Sequence, residues 1–358
     1  MPRRLTEIPK KVDIANAPKA QESACRANAA GLTACVARFN AQKLMIIGDI
    51  IADVYLEGKI SRISREAPVL ILEHAGETIV PGGAANVINN TATLGGTVYA
   101  IGVVGADQPG GAITGLLQAK TINTEGLYHD PARPTITKTR IIAGGIAAIT
   151  QQIVRIDREA KGPIAPAAEE YLLARIQAQI QQVNAVILSD YGYQCITPTI
   201  RERTIAWCRS YGIPCIVDSR YAIRSFKGIT IAKQNELELA AVVGYPLVDE
   251  PTLLRAGREL LDFLEAEAVM VTRGPDGITL IERDDTVTQI PVTNASEVFD
   301  VSGAGDTVVA GMMLALAAGA SRIDAARLAN YAAGVVVRKL GTATVSQAEL
   351  IQAIGGDI

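Results

Sequence analysis

From "KLMIIGD" (43–49) onward, the chain alternates short apolar bursts with longer segments of helical spacing, and that alternation restricts it to few folds. The bursts include "VYAIGVVG", "NAVILSD", "PCIVD", "ITIA" and "AVMVT". Strands separated by helices cannot pair as hairpins, so they form a mostly parallel sheet covered by helices on both faces. With 358 residues, 49% of them apolar, the chain can bury the core of one large α/β domain, a three-layer α/β/α sandwich. Pro166 falls just inside one helix start, and Thr197 in "TPTIRER" is placed to cap another. In such sheets ligands collect at the carboxyl ends of the strands.

Two segments break the pattern. Residues 54–80 and 134–158 are richer in β-branched and charged side chains, and "PTITKTRIIAGG" alternates so that Lys138 and Arg140 share a face. They are expected to form a small sheet projecting from the main domain as a lid. Residues 1–42, a polar lead and an alanine-rich helix around 25–38, are expected to be an appendage to a domain spanning 43–358.

Charge narrows the partners. Thirty-four basic against 37 acidic residues, with no dense basic block, make nucleic acid and anionic membrane poor partners and a small molecule the expected ligand. Cys25, Cys35, Cys195, Cys208 and Cys215 are odd in number and never at C-x-x-C spacing, which argues against a disulfide framework or a thiolate zinc site. No apolar leader or unbroken run of about 18 apolar residues occurs. A cytoplasmic protein is expected.

The stretch "DVSGAGDT" (300–307) carries the chemistry. Gly303 and Gly305 allow a tight turn with exposed N–H groups, and the apolar helix that follows adds its positive end, so the turn can hold an anion. Amides facing a migrating phosphoryl group, with Asp306 taking the acceptor hydroxyl's proton, would suffice for phosphoryl transfer. Read alone, the octamer is equally compatible with Asp306 as an ordinary helix cap. Neither a G-x-x-x-x-G-K-[ST] loop nor a protein-kinase loop set is present, so a nucleotide would be handled by another device. "PGGAANV" (81–87) opens a second helix in the same manner.

"GDIIADVY", "PGGAANV", "NELE", "VTRGPDG", "DVSGAGDT" and "NYAAGVVVRKLGT" occur in the order seen in ribokinase (PfkB) family sugar kinases, and the chain resembles that family from about residue 43 to 350. Within it, "SRISREAPV" (61–69), "RPTITKTRII" (133–142), "QQIVRID" (151–157) and "LSDY" (188–191) are similar to kinases that phosphorylate D-glycero-β-D-manno-heptose 7-phosphate at O1 for ADP-heptose and lipopolysaccharide core synthesis. The resemblance implies ATP and Mg²⁺, leaves a monovalent cation open, and implies a homodimer joined through the lid. His74 and His129 cannot form the H-x-G-H motif of the adenylyltransferase often fused to such kinases, so that module is not expected in this sequence.

By the same resemblance, Asp306 is the catalytic base, with Gly303, Ala304 and Gly305 supplying anion-hole amides. Asp49, Asp53, Gly82, Gly83, Asn86 and Asp190 are implied on the sugar side. Arg62, Lys138, Arg140 and Arg155 are candidates for the sugar's phosphate, against the alternative of a surface charge row. Asn235 and Glu238 of N-x-x-E, the glutamate reaching Mg²⁺ through water, with Thr272, Gly274, Gly277 and Asn330, are implied on the nucleotide side; Glu236 and Glu238 also suit the first turn of a helix.

The chain departs from its nearest pattern at three places. It has Asp218, Ser219, Arg220 for D-P-K, Lys233, Gln234, Asn235 for T-P-N, and Gly192, Tyr193, Gln194 for alanine, lysine and glycine. The missing lysine bears on sugar specificity, so a kinase for another sugar or sugar phosphate is the nearest alternative. A non-catalytic sugar-binding protein on the same fold is a remote one. A dehydrogenase is disfavoured because no G-x-G-x-x-G follows the first strand.

Overall fold

The computed structural model describes residues 29–144, 151–293 and 298–356. Its strands are β1 (Lys43–Gly48), β2 (Ile50–Ile63), β3 (Leu70–Gly83), β4 (Thr97–Gly105), β5 (Asn123–Asp130), β6 (Ile136–Gly144) and β7 (Gln151–Arg158). The later strands are β8 (Ala185–Asp190), β9 (Cys215–Ser219), β10 (Ile231–Asn235), β11 (Ala268–Thr272), β12 (Ile278–Glu282) and β13 (Val287–Ile290). Helical residues 29–36 (α1) are followed by α2 (Ala84–Thr93), α3 (Gln108–Gln118), α4 (Pro166–Gln179), α5 (Pro198–Tyr211) and α6 (Glu236–Val243). Then come α7 (Glu250–Leu264), α8 (Ala304–Ala317), α9 (Arg322–Val336) and α10 (Gln347–Gly355).

Nine strands form one sheet in the order β13-β12-β11-β10-β9-β8-β1-β4-β5. All its pairings from β11 to β5 are parallel, and only β12 and β13 run antiparallel at one edge. Successive strand residues face opposite layers. Leu44, Ile46, Ala185 and Ile187 pack with Ile88, Val309, Met312 and Leu328 on one face. Met45, Ile47, Val186 and Leu188 pack with Leu172, Ile200 and Leu260 on the other. Burial on both faces is why these strands read as continuous apolar runs. Thr197 caps α5, its side chain accepting from the Ile200 N–H, and Pro166 occupies the first turn of α4.

A second sheet has the order β3-β2-β6-β7, with β2 and β6 parallel and the outer pairs antiparallel. The first of its segments is longer than the expected 54–80. β2 starts at Ile50 and is buried through Val54 before emerging into solvent, because it leaves β1 through Asp49 alone. The start of the alanine-rich helix lies outside the described residues. The part described is no appendage: Leu32, Cys35, Val36 and Phe39 are buried in the main core, and Arg38 Nε donates to the Ala318 carbonyl.

Candidate active site

Asp306 lies in the first turn of α8, whose N-cap is Gly303 with φ +78°. A Cβ on Gly303 would approach Asn86 Nδ2 to 2.6 Å, so glycine serves both the left-handed backbone and the close passage of α2. Asp306 does not cap its own helix. Its carboxylate is buried and accepts from Asn86 Nδ2 at 2.7 Å and from the Tyr191 hydroxyl at 2.6 Å. Burial pushes its pKa up to about 6, against the lowering effect of these two donors. The Ala304 N–H donates to the Val301 carbonyl, so the anion-hole role expected of it is taken up by that bond in this structure. The N–H groups of Gly303 and Gly305 have no partner among the described residues.

The sugar-side residues separate into two kinds. Asp49 is fully buried, and its oxygens accept from the backbone N–H groups of Tyr191 (2.8 Å), Tyr193 (3.1 Å) and Cys195 (3.1 Å). It pins the loop after β8 and offers nothing to a ligand, which corrects the sugar-binding role expected of it. Burial raises its pKa to about 6 despite those amides. Asp53 lies on β2, nearly buried, with Oδ1 2.7 Å from Arg140 Nη1. Gly82 gives it room, since a Cβ there would meet Asp53 Oδ2 at 2.5 Å. Gly83 (φ +55°) turns the chain into α2, whose first N–H, that of Ala84, donates to the Asp49 carbonyl. Asp190 accepts from the Ser219 hydroxyl at 2.6 Å and the Gly192 N–H at 3.0 Å.

Of the basic candidates, Lys138 lines a cavity, with its ammonium 5.3 Å from the centre of the Tyr191 ring. Arg140 is spent on Asp53, and Arg155 is bound through two nitrogens to Asp157 at 2.8 Å. Arg62 is exposed near the far end of β2. Arg140 and Arg155 face each other across β6 and β7, each already paired to a carboxylate. A cavity of about 360 Å³ instead sets Lys138 with Lys161, Arg220, Tyr191 and Tyr193. It adjoins a cavity of about 410 Å³ lined by Asp190, Asp218, Lys233, Glu238 and Asp306, with Tyr191 and Arg220 common to both.

On the nucleotide side, Asn235 caps α6 and Glu238 closes the box. Asn235 Oδ1 accepts from the Glu238 N–H, and Glu238 Oε2 accepts from the Asn235 N–H, each at 2.8 Å. The helix-start reading is thus correct for Glu238, which nonetheless faces the same cavity as Asp306. Asp218 and Glu238 supply hard oxygen donors there, a set that suits Mg²⁺ completed by phosphate and water; no group of three metal-ligating side chains occurs among the described residues. Thr272 ends β11, and Gly274 (φ +54°) and Gly277 (φ +83°) make the turn into β12. A side chain on Gly277 would strike the Ile290 carbonyl. Asn330 donates to the Pro291 carbonyl at 2.7 Å and lines a separate cavity of about 530 Å³ with Leu32, Ile290 and Tyr331.

Sequence reasoning assigned no role to Asp218, Lys233 or Lys161. The available signal was that Asp218 and Lys233 end two consecutive strand bursts, which a parallel sheet places side by side.

A buried carboxylate thus stands at a glycine-opened helix start, beside unpartnered amides and a polar cavity at the carboxyl ends of parallel strands. The pfkB family carbohydrate kinase profile matches residues 41–349. The chain is 42% identical over 312 residues to the bifunctional protein HldE of Geobacter metallireducens, covering 87% of this chain and 62% of that protein. It is also 42% identical to its namesake in Geobacter sulfurreducens, covering 92% and 66%. It therefore spans about two thirds or less of the length of these relatives. Among solved structures, Arabidopsis thaliana ribokinase complexed with ribose and ATP superposes with a TM-score of 0.68 at 19% identity, covering 87% of this chain and 98% of that one. Phosphofructokinase-2 from Escherichia coli in complex with substrates and products gives 0.69 at 20%, covering 88% and 99%. The chain belongs to the pfkB family of carbohydrate kinases, and it is a sugar kinase on a ribokinase-like fold.

Proposed function

We propose that this kinase transfers the γ-phosphoryl group of ATP to O1 of D-glycero-β-D-manno-heptose 7-phosphate, giving the 1,7-bisphosphate and ADP. The observation that carries the reading is the buried Asp306 carboxylate beside the open amides of Gly303 and Gly305. The sugar oxygen bonds to phosphorus as the bond to ADP breaks, and its proton passes to Asp306. The amides of the α8 turn stabilise charge on the moving group. Asp218 and Glu238 are the residues suited to hold Mg²⁺, which supplies neutralisation of the phosphate charge. Asp53 and Asp190 are assigned to the sugar, Asn86, fully buried, acts only through Asp306, and Thr272, Gly274 and Gly277 are assigned to the nucleotide by the motif resemblance, whereas Asn330 lines a separate cavity.

A phosphorylated sugar is favoured by the neighbouring cavity, where Lys138, Lys161 and Arg220 stand without an ion-pair partner among the described residues. The heptose assignment rests on the motif resemblance and on the 42% identity to the bifunctional HldE proteins. Tyr193, standing where those motifs have lysine, favours as second reading a different sugar phosphate, such as fructose 1- or 6-phosphate. Described cysteines are all free, and no described helix is long and apolar enough to cross a membrane. Together with ATP as donor these support a cytoplasmic enzyme. The test is coupled ADP release over a panel of sugars and sugar phosphates with heptose 7-phosphate among them. Turnover at least tenfold better on a hexose phosphate would select the second reading, and no transfer to any sugar would remove both.

A further inference from the structure

The two donors on Asp306 differ in how they are held. Asn86 is locked: it is fully buried on α2, and its own Oδ1 accepts from Asn90 Nδ2 at 3.1 Å. Asn90 Oδ1 in turn accepts from the Thr307 hydroxyl at 2.9 Å, which ties the amide chain back to α8. The bond on Oδ2 is therefore part of the helix pair. Tyr191 comes instead from the loop after β8. Its backbone is fixed by Asp49, but its side chain is only partly buried, lies between the two cavities and faces Lys138 on β6. Oδ1 thus accepts the Tyr191 hydroxyl on the side of the carboxylate that borders the cavity.

Resting on the assignment of Asp306 as base, we propose that Tyr191 is a latch on that base: its hydroxyl holds Oδ1 until the sugar hydroxyl displaces it, so that water is not activated in the sugar's absence. A kinase faces this hazard because water is smaller than its substrate and more abundant. Unlatched, a water oxygen would bond to the γ-phosphorus while the bond to ADP breaks, with the water proton passing to Asp306. Tyr191 acts through Asp306 and is a positioning residue. Its ring also gives the sugar site a route to the latch, since an anion drawing Lys138 away removes a contact that holds the ring in place.

The test compares sugar-free ADP release by wild type, Tyr191→Phe, Tyr171→Phe and the double variant Tyr191→Phe/Asp306→Asn. Tyr171 on α4 donates its hydroxyl to the Glu125 carbonyl, lines neither cavity, and serves as control. We expect Tyr191→Phe to release ADP without sugar at least about tenfold faster than wild type. The excess should vanish in the double variant, and Tyr171→Phe should match wild type. The acid limb of kcat/KM for the sugar should also move to higher pH in Tyr191→Phe, because a donor that lowers the Asp306 pKa is gone. Sugar-free release at the wild-type rate, or an excess that persists without Asp306, overturns the proposal. The readout needs no sugar, so a wrong substrate assignment would show in the sugar panel and leave this result standing.

Discussion

The ammonium of Lys233 lies 2.9 Å from Oδ2 of Asp218, at the carboxyl ends of the neighbouring parallel strands β10 and β9. Both side chains are largely withdrawn from water, at 7% and 16% exposure. Burial alone would lower the lysine's pKa, but Asp218, with Glu238 and Asp306 adding, reverses this and holds it above the ordinary value. The cation therefore stays charged beneath the turn carrying Gly305, where a Cβ would come within 3.0 Å of it.

Lys233→Met should accordingly destabilise the fold by about 3 kcal/mol, since it leaves Asp218 unpaired in a poorly solvated place. The double variant Lys233→Met/Asp218→Leu should recover at least about 1 kcal/mol of that loss. Urea denaturation of the four proteins in a double-mutant cycle measures the coupling, and purely additive losses would mean the pair does not act as one.

Asp306→Asn should lower kcat by roughly 10²–10⁴-fold with ATP KM within about threefold of wild type. The wild-type acid limb follows from the pKa of about 6. A base works when deprotonated, so kcat/KM should be level above that value and fall about tenfold per pH unit below it. Initial rates between pH 5 and 8 check this, and a flat profile would count against Asp306.

Asp49 and Asp53, four residues apart, should fail differently. Asp49→Ala strands three backbone N–H groups, that of Cys195 buried and those of Tyr191 and Tyr193 partly so, and should cost about 2–4 kcal/mol, seen as a lowered Tm. Asp53→Asn frees Arg140 on the sugar side and should raise sugar KM about tenfold or more while leaving ATP KM unchanged.

The second sheet exposes Ile63, Leu70, Val154 and Ile156 at 44–66%. Apolar side chains on two-stranded margins suit coverage by a second copy. Light scattering should give twice the 37.8 kDa chain mass, and Ile156→Lys should return it to one. A wild-type monomer at micromolar concentration would oppose the dimer.

Much of the fold was legible locally. The bursts from "KLMIIGD" to "AVMVT" all became buried strands of the main sheet, because burial on both faces demands unbroken apolar runs. Thr197, Pro166 and the glycine turn before α8 act within a few residues of themselves and could be read there. The helix near the start shows the limit: an alanine-rich segment looks the same whether it hangs free or, as here, packs Leu32 and Val36 into the core.

The sequence by itself determined a parallel α/β sheet and a carboxylate in the first turn of a glycine-opened helix, since periodicity and backbone freedom are local properties. Only tertiary structure decided what that carboxylate touches. An aspartate there can cap its own helix, yet Asp306 turns to Asn86 and Tyr191, 220 and 115 residues away. Likewise Asp49 spends itself on backbone amides while Asp53 keeps Arg140. Side-chain partners are chosen by which strand ends and loops the packed layers bring together, and no short-range pattern encodes that choice.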